Sequence, residues 1–184
     1  TGLAPFRHLE LEVGPGVFIP RPETEQLVDL AMQKIEALQN PVIVDLCSGS
    51  GAISIALNTE VAGSTVYSVE LSKEAFSFLT RNYQRYGLDP KALRNENLTT
   101  ALEDLAAGVD LVVSNPPYIP DAAVPIDLEV KLHDPALALY GGEDGLDVIR
   151  QISARAWYLL RPGGHLVLEP VSYTHLRAHE TGRN

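Results

Sequence analysis

Cysteine occurs once in the 184 residues, at Cys47. That excludes an intrachain disulfide and any zinc site built on cysteines, and it reads as a protein of a reducing compartment. Basic residues are also scarce: 14 Lys and Arg stand against 24 Asp and Glu, a formal net charge of −10. Such a balance argues against sequence-independent capture of a polyanion by phosphate neutralisation. Apolar runs are short. None approaches the roughly 18 residues of a membrane-spanning helix, and no signal or transit pattern opens the sequence, so the expected location is the cytoplasm. What is present is ordinary core material: 45% hydrophobic and 21% charged residues, close to the about 45–50% and about 25% of globular domains. The length predicts a single domain of about 150 residues with a modest extension.

Residues 1–22 alternate apolar and polar side chains (Phe6, Leu9, Leu11, Val13), break at Gly14-Pro15-Gly16 and resume at Val17-Phe18-Ile19, which predicts a β-hairpin or two short strands. Pro22 and the acidic Glu23 and Glu25 suit a first helical turn, and Leu27, Leu30, Ala31, Ile35 and Leu38 share one face of an amphipathic helix ending near Asn40-Pro41. Beyond it, β-rich runs (Val42–Leu46, Thr65–Val69, a weak one at Ala92–Glu96, Val109–Val113, His165–Leu168) alternate with helical spacing at Ile53–Leu57, Glu74–Tyr86 and Leu146–Leu160. Strands separated by helices imply a parallel sheet with helices on both faces, a doubly wound α/β fold. Ile119–Glu143 shows no sustained period and reads as a long loop covering a site. Ser172–Asn184 breaks the pattern and resembles the translation of a sequencing adapter, so it is expected to be a non-native tail. The expected organisation is a hairpin at 1–22, a core at 23–171 and the tail at 172–184.

Two constellations carry chemistry. Val42-Ile-Val-Asp45-Leu-Cys47-Ser48-Gly49-Ser50-Gly51 is a buried strand followed by a turn of small residues and a helix start. Small residues let the main chain approach a ligand, and the helix start offers unpaired N–H groups. Glu70 ends the second strand 19 residues after Gly51, near the spacing of about 20 for an acid that accepts from ribose hydroxyls. Asp45 would repel a pyrophosphate but suit a ligand carrying an ammonium and a sulfonium, which favours S-adenosylmethionine over a nicotinamide dinucleotide.

The second constellation, Asn115-Pro116-Pro117-Tyr118, follows the strand Asp110–Ser114. It therefore falls at the carboxyl end of a central strand, where open α/β sheets bind ligands. An amide or exocyclic amine is a poor nucleophile because its lone pair is delocalised. The Asn115 side-chain oxygen and the Pro116 carbonyl offer two fixed acceptors that would each take one N–H and turn that lone pair toward an electrophilic methyl. Tyr118 would wall the planar group and exclude water. No general base is needed before transfer. His8, His133 and His165 read as structural or surface residues.

Asn115-Pro-Pro-Tyr118 together with the glycine turn resembles the class I S-adenosylmethionine-dependent methyltransferases, with their Rossmann-like sheet. Phe18-Ile-Pro-Arg21-Pro-Glu23-Thr-Glu25 narrows the resemblance to the HemK-type protein-glutamine methyltransferases, over about residues 1–171. The resemblance implies methylation of the glutamine side-chain nitrogen in the Gly-Gly-Gln motif of peptide chain release factors. By it, Cys47 to Gly51, Glu70, Leu98 and Asn115 line the cofactor, Asn115 to Tyr118 hold the glutamine, and Arg21-Pro22-Glu23 sits at the mouth. Cys47 stands where relatives commonly carry a glycine, and Asn97 where many carry an acid. The family's N-terminal helical domain and its strands after the fifth are missing from the pattern, so the resemblance implies a truncated chain with an open sheet edge. Alternatives are an adenine or guanine amine methyltransferase on DNA or RNA, which the net charge disfavours, or a non-catalytic fragment.

Overall fold

The computed structural model describes residues 2–122 and 135–169; the expected tail, His133 and about half of the predicted loop lie outside them. Strands β1 (Leu3–Phe6) and β2 (Leu9–Glu12) form an antiparallel hairpin in which Phe6 pairs with Leu9. The reversal is therefore at Arg7-His8, not at Gly14-Pro15-Gly16 as the turn chemistry had suggested. Arg7 takes the left-handed φ of +52°, and its guanidinium explains why the chain turns there. Nε and Nη2 donate to Glu60 at 2.6 and 2.7 Å and Nη1 to Asp29 at 2.8 Å, while its backbone N–H donates to Glu25 at 2.8 Å. Val17–Ile19 is not a strand. Val17 is buried beside Ala4, Val13 and Ala75, and Pro20 and Pro22 lack the N–H groups a ladder requires.

Helix α1 (Thr24–Ile35) buries Leu27, Ala31 and Ile35 as expected from 3.6-residue spacing, but with Val28 in place of the expected Leu30, which is exposed, and it stops short of Leu38 and the predicted Asn40. Then β3 (Val42–Leu46), α2 (Ala52–Glu60), β4 (Thr65–Val69), α3 (Lys73–Arg85), β5 (Leu93–Arg94), β6 (Val109–Ser114), a one-turn helix α4 (Ala136–Leu139), α5 (Asp147–Leu159) and β7 (Leu160–Leu168) follow. Helix α4 lies within the stretch expected to be irregular. Ser72 caps α3 by accepting from the Ala75 N–H at 3.2 Å, a contact worth about 1 kcal/mol. No helix among the described residues is long and apolar enough to cross a membrane.

The five strands β5-β4-β3-β6-β7 lie side by side and all run parallel. Alternation along each strand divides the core into two layers. Ile43, Leu111 and Val113 pack with the helices α1 to α3 and with Phe6, Leu9 and Leu11 of the hairpin. Val44, Leu46, Val109 and Val112 pack with Ile152, Ala156 and Leu159 of α5. The chain leaves β3 toward β4 and β5, then returns to build β6 and β7 on the other side. The crevice between β3 and β6 is the switch point at which such sheets take ligands.

Candidate active site

A cavity of about 960 Å³ opens above the carboxyl ends of β3, β4 and β6. The turn after β3 forms its floor. Ser48 N–H donates to Val69 O at 3.0 Å and Gly51 N–H to Ser48 O at 2.8 Å, coiling the turn tightly into α2. Gly51 has φ +89°, and a Cβ there would meet Leu79 at 2.7 Å, so this position requires glycine. Gly49 faces open space. Cys47 occupies the left-handed region at φ +63°, where an L-residue costs about 1–2 kcal/mol relative to glycine. Burial pushes its thiol up to about 12, so it stays protonated and unreactive near neutral pH.

The two strand-end acids are placed differently. Glu70 lines the cavity, accepting from the Gly49 N–H at 2.8 Å and from the Ser72 N–H at 2.7 Å. Burial raises its pKa above the ordinary carboxylate range, while those two N–H groups act in the opposite direction. Asp45 does not line the cavity. It shares the Ile43 face of β3 and lies wholly buried beneath the glycine turn, where the nearby Ser48 and Ser54 hydroxyls donate to the carbonyls of Asp45 and Gly51. Neither Asp45 carboxyl oxygen has a hydrogen-bond partner, and burial pushes the group up to about 7. Asn82, in the middle of α3, spans two parts that sequence reasoning treated separately: it donates to Ser50 O at 2.9 Å and exchanges hydrogen bonds with the Glu12 backbone. The hairpin thereby buttresses the glycine turn. An asparagine inside an amphipathic helix carries no sequence signal for such a role.

Across the cavity stand Asn115 to Tyr118, following β6. Ser114 donates to Leu46 O at 2.5 Å, locking the end of β6 to the end of β3. Asn115 Nδ2 donates to Thr24 Oγ1 at 3.2 Å, which leaves its Oδ1 as the available acceptor. Leu98 lines the same space, half-buried against the α5 layer. At the mouth are Phe18 and Arg21, with the guanidinium 5.4 Å from the ring centroid, and Leu137 on α4. Of the expected site residues, Arg21, Cys47 to Ser50, Glu70, Leu98 and Asn115 to Tyr118 border one space, whereas Asp45 and Gly51 do not.

Pro117 and Tyr118 rest on a support the sequence analysis passed over, Gly141 to Gly145. Ile119 pairs with Leu139 and Gly141 through backbone hydrogen bonds of 2.8 and 2.9 Å. A Cβ on Gly145, at φ +76°, would lie 2.3 Å from Tyr118 O; one on Gly141 would lie 2.8 Å from Pro117 O. Gly145→Ala is therefore expected to destabilise the fold by about 2–4 kcal/mol, combining left-handed strain with overpacking. Gly87→Ala, with φ +67° and nothing within 4 Å, carries the strain alone and should cost about 1–2 kcal/mol. Urea midpoints of the two variants test this; equal losses would remove the clash from the explanation.

Comparison with known proteins agrees with this geometry. The chain is 52% identical over 175 residues to the release factor glutamine methyltransferase of Streptomyces coelicolor, covering 92% of this chain and 60% of that protein. It is 40% identical over 178 residues to the 4-amino-L-phenylalanine/4-methylamino-L-phenylalanine methyltransferase of Streptomyces pristinaespiralis, covering 94% and 60%. The chain thus spans about three fifths of the length of these curated relatives. Its fold matches the ribosomal protein L11 methylase of Lactobacillus delbrueckii subsp. bulgaricus with a TM-score of 0.55 at 20% identity, covering 91% of this chain and 79% of that one. The family described as Methyltransferase small domain matches residues 9–181, and the chain belongs to it.

Proposed function

We propose that this chain carries the catalytic core of a protein methyltransferase that transfers the methyl group of S-adenosylmethionine to the side-chain nitrogen of glutamine in the Gly-Gly-Gln motif of peptide chain release factors. The observation that carries the reading is the placement of Asn115 and Pro116 opposite the glycine turn across one cavity. The residues present fit the cofactor on a structural ground: Asp45 is a buried carboxylate with no partner just beneath the turn, a charge that a cationic ligand above it would offset. Glu70 and Leu98 would hold the nucleoside, Cys47 to Gly51 the amino-acid end, and Asn115 would border the reacting group. When bound, the cofactor supplies an electrophilic methyl on sulfonium.

The chain's own contribution is orientation. Asn115 Oδ1 and the Pro116 carbonyl accept the two N–H bonds of the carboxamide and so aim its lone pair. Tyr118 and Phe18 flank the planar group and keep water out. Arg21 guards the entrance. A proton leaves the nitrogen once the new N–C bond has formed. The names of the curated relatives support release factors as partners.

A second reading has a specific observation in its favour: the 40%-identical relative named for 4-amino-L-phenylalanine. An arylamine is likewise planar with two hydrogens. Mass spectrometry separates the two. Incubation with labelled S-adenosylmethionine and a release-factor domain is expected to add one methylene to the Gly-Gly-Gln glutamine, with 4-amino-L-phenylalanine unmodified. Label on the free amino acid alone would favour the second reading.

A further inference from the structure

Among the described residues the outer edge of β2 has no strand beside it, yet its backbone groups are paired. Val13 N–H donates to Gly2 O at 3.0 Å on the β1 side, so alternation along an antiparallel strand turns the N–H and C=O groups of Glu12 and Glu10 away from β1. Two side chains of α3 and its C-cap meet them. Asn82 Oδ1 accepts from Glu12 N–H at 2.7 Å and Asn82 Nδ2 donates to Glu12 O at 3.0 Å. The Tyr86 hydroxyl accepts from Glu10 N–H at 2.7 Å and donates to Glu10 O at 3.2 Å. The spacings agree, since four residues of helix rise about 6 Å and two of strand about 7 Å. Helix α3 therefore takes the place of a third strand. Arg81 and Arg85 add ion pairs with the Glu12 and Glu10 side chains at 2.8 and 2.6 Å, but these are exposed and contribute little.

Of the two, Asn82 also reaches the site. Its other Nδ2 proton goes to Ser50 O at 2.9 Å, and the side chain is fully buried. The Ser50–Gly51 peptide is thereby held at both ends, its carbonyl by Asn82 and its N–H by Ser48 O at 2.8 Å. Gly51, at φ +89° and without a Cβ, would otherwise let this plane rock. Gly49 and Ser50 border the cavity, so a rocking plane moves the floor on which a ligand rests. We infer that Asn82 is a positioning residue that couples the hairpin to the cofactor: with its amide fixed by Glu12 it fixes the Ser50 carbonyl, and the turn binds S-adenosylmethionine well only while the hairpin is docked. This rests on the reading of the turn as the cofactor's seat. Coupling of this kind is reciprocal, so the bound cofactor holds the hairpin down by the same factor.

Amide hydrogen exchange and calorimetry test this, with S-adenosylhomocysteine as the ligand. Saturating ligand is expected to slow exchange of the Glu10 and Glu12 N–H groups about tenfold in the wild type. Two variants cut the joint: Asn82→Leu, and Asn82→Asp, which keeps the acceptor for Glu12 N–H but loses both donors. Each should raise Kd about tenfold, and the ligand should then leave Glu10 N–H exchange unchanged. Tyr86→Phe is the control. It frees Glu10 N–H without touching the Ser50 bond, so exchange there should rise about tenfold while Kd stays within about twofold. The wild-type protection needs no substitution and decides the matter should position 82 tolerate none. Unprotected hairpin amides in the wild type overturn the proposal, as does an unchanged Kd in Asn82→Leu or an equal rise in Tyr86→Phe. If the wild-type chain binds no S-adenosylhomocysteine, it is the cofactor reading that falls. The joint is then decided by Gly51 N–H exchange, expected to rise about tenfold in Asn82→Leu and to hold in Tyr86→Phe; a constant rate in Asn82→Leu overturns it.

Discussion

Asn115→Ala is expected to lower turnover by about 10²–10³-fold while changing S-adenosylmethionine affinity by no more than about threefold. The side chain supplies one of two acceptors for the reacting nitrogen, and losing one preorganised polar contact at a reacting centre carries a penalty of that size. Cofactor affinity is spread over a much larger surface. Cys47 to Ser50, Glu70 and Leu98 border the cavity independently of Asn115, so the variant removes one contact among many. The wild-type Asn115 amide also satisfies Thr24, and truncation leaves that buried hydroxyl one donor short. The destabilisation should be about 1–2 kcal/mol, which a melting curve measures separately. Stopped-time assays with saturating peptide, alongside calorimetry of the cofactor, test the split. Equal losses in rate and affinity would mean that Asn115 holds the cofactor and not the nitrogen.

The second large effect concerns Asp45 and pH. In the unfolded chain its carboxyl titrates near 3.8, and in the fold burial pushes it up to about 7. Between those values the folded state binds the proton more tightly. The stabilising contribution is therefore complete below pH 4 and is lost as pH rises through 7. The wild type should forfeit about 4 kcal/mol from this group between pH 4 and pH 8. Glu70 and Glu169 are also raised by burial and slope the same way, so the difference between wild type and Asp45→Asn isolates the one residue. The variant should be comparatively more stable at pH 8 than at pH 4 in urea titrations. A bound cation above the turn favours the ionised carboxylate, so S-adenosylmethionine affinity is expected to rise up to about tenfold from pH 6 to pH 8 in the wild type. It should stay nearly flat in Asp45→Asn. Parallel stability curves for the two proteins would contradict this assignment of the buried charge.

These effects bear on how far residues alone reveal structure. Strands β3 and β4 could be bounded from Val42–Leu46 and Thr65–Val69 because β-branched runs flanked by turn residues leave little freedom. The cavity could be located because the glycine turn and Asn115-Pro116-Pro117-Tyr118 follow strands that the crossover rule makes neighbours. The hairpin reversal was not legible. Gly14-Pro15-Gly16 is the stronger local turn signal, but Arg7 is held by Glu25, Asp29 and Glu60, which are distant in sequence, and tertiary charge pairing outweighs local propensity. Asp45 was expected to face a ligand because it ends a strand. Two-residue alternation instead puts it on the Ile43 side, under α2, and only the fold reveals that the helix seals it. Asn82 lies 70 residues from Glu12 and 32 from Ser50 in the numbering, and nothing local to it announces that it joins them. Nor does anything local to Gly141 and Gly145 say that Pro117 and Tyr118 rest on them.

The most direct measurement is a co-crystal structure with S-adenosylhomocysteine and a peptide bearing Gly-Gly-Gln. The expected result is the glutamine carboxamide nitrogen within hydrogen-bond distance of both Asn115 Oδ1 and the Pro116 carbonyl oxygen, on the side facing the cofactor's sulfur. A carboxamide seated elsewhere in the cavity, or an Asn115 amide presenting its nitrogen to the peptide, would contradict it.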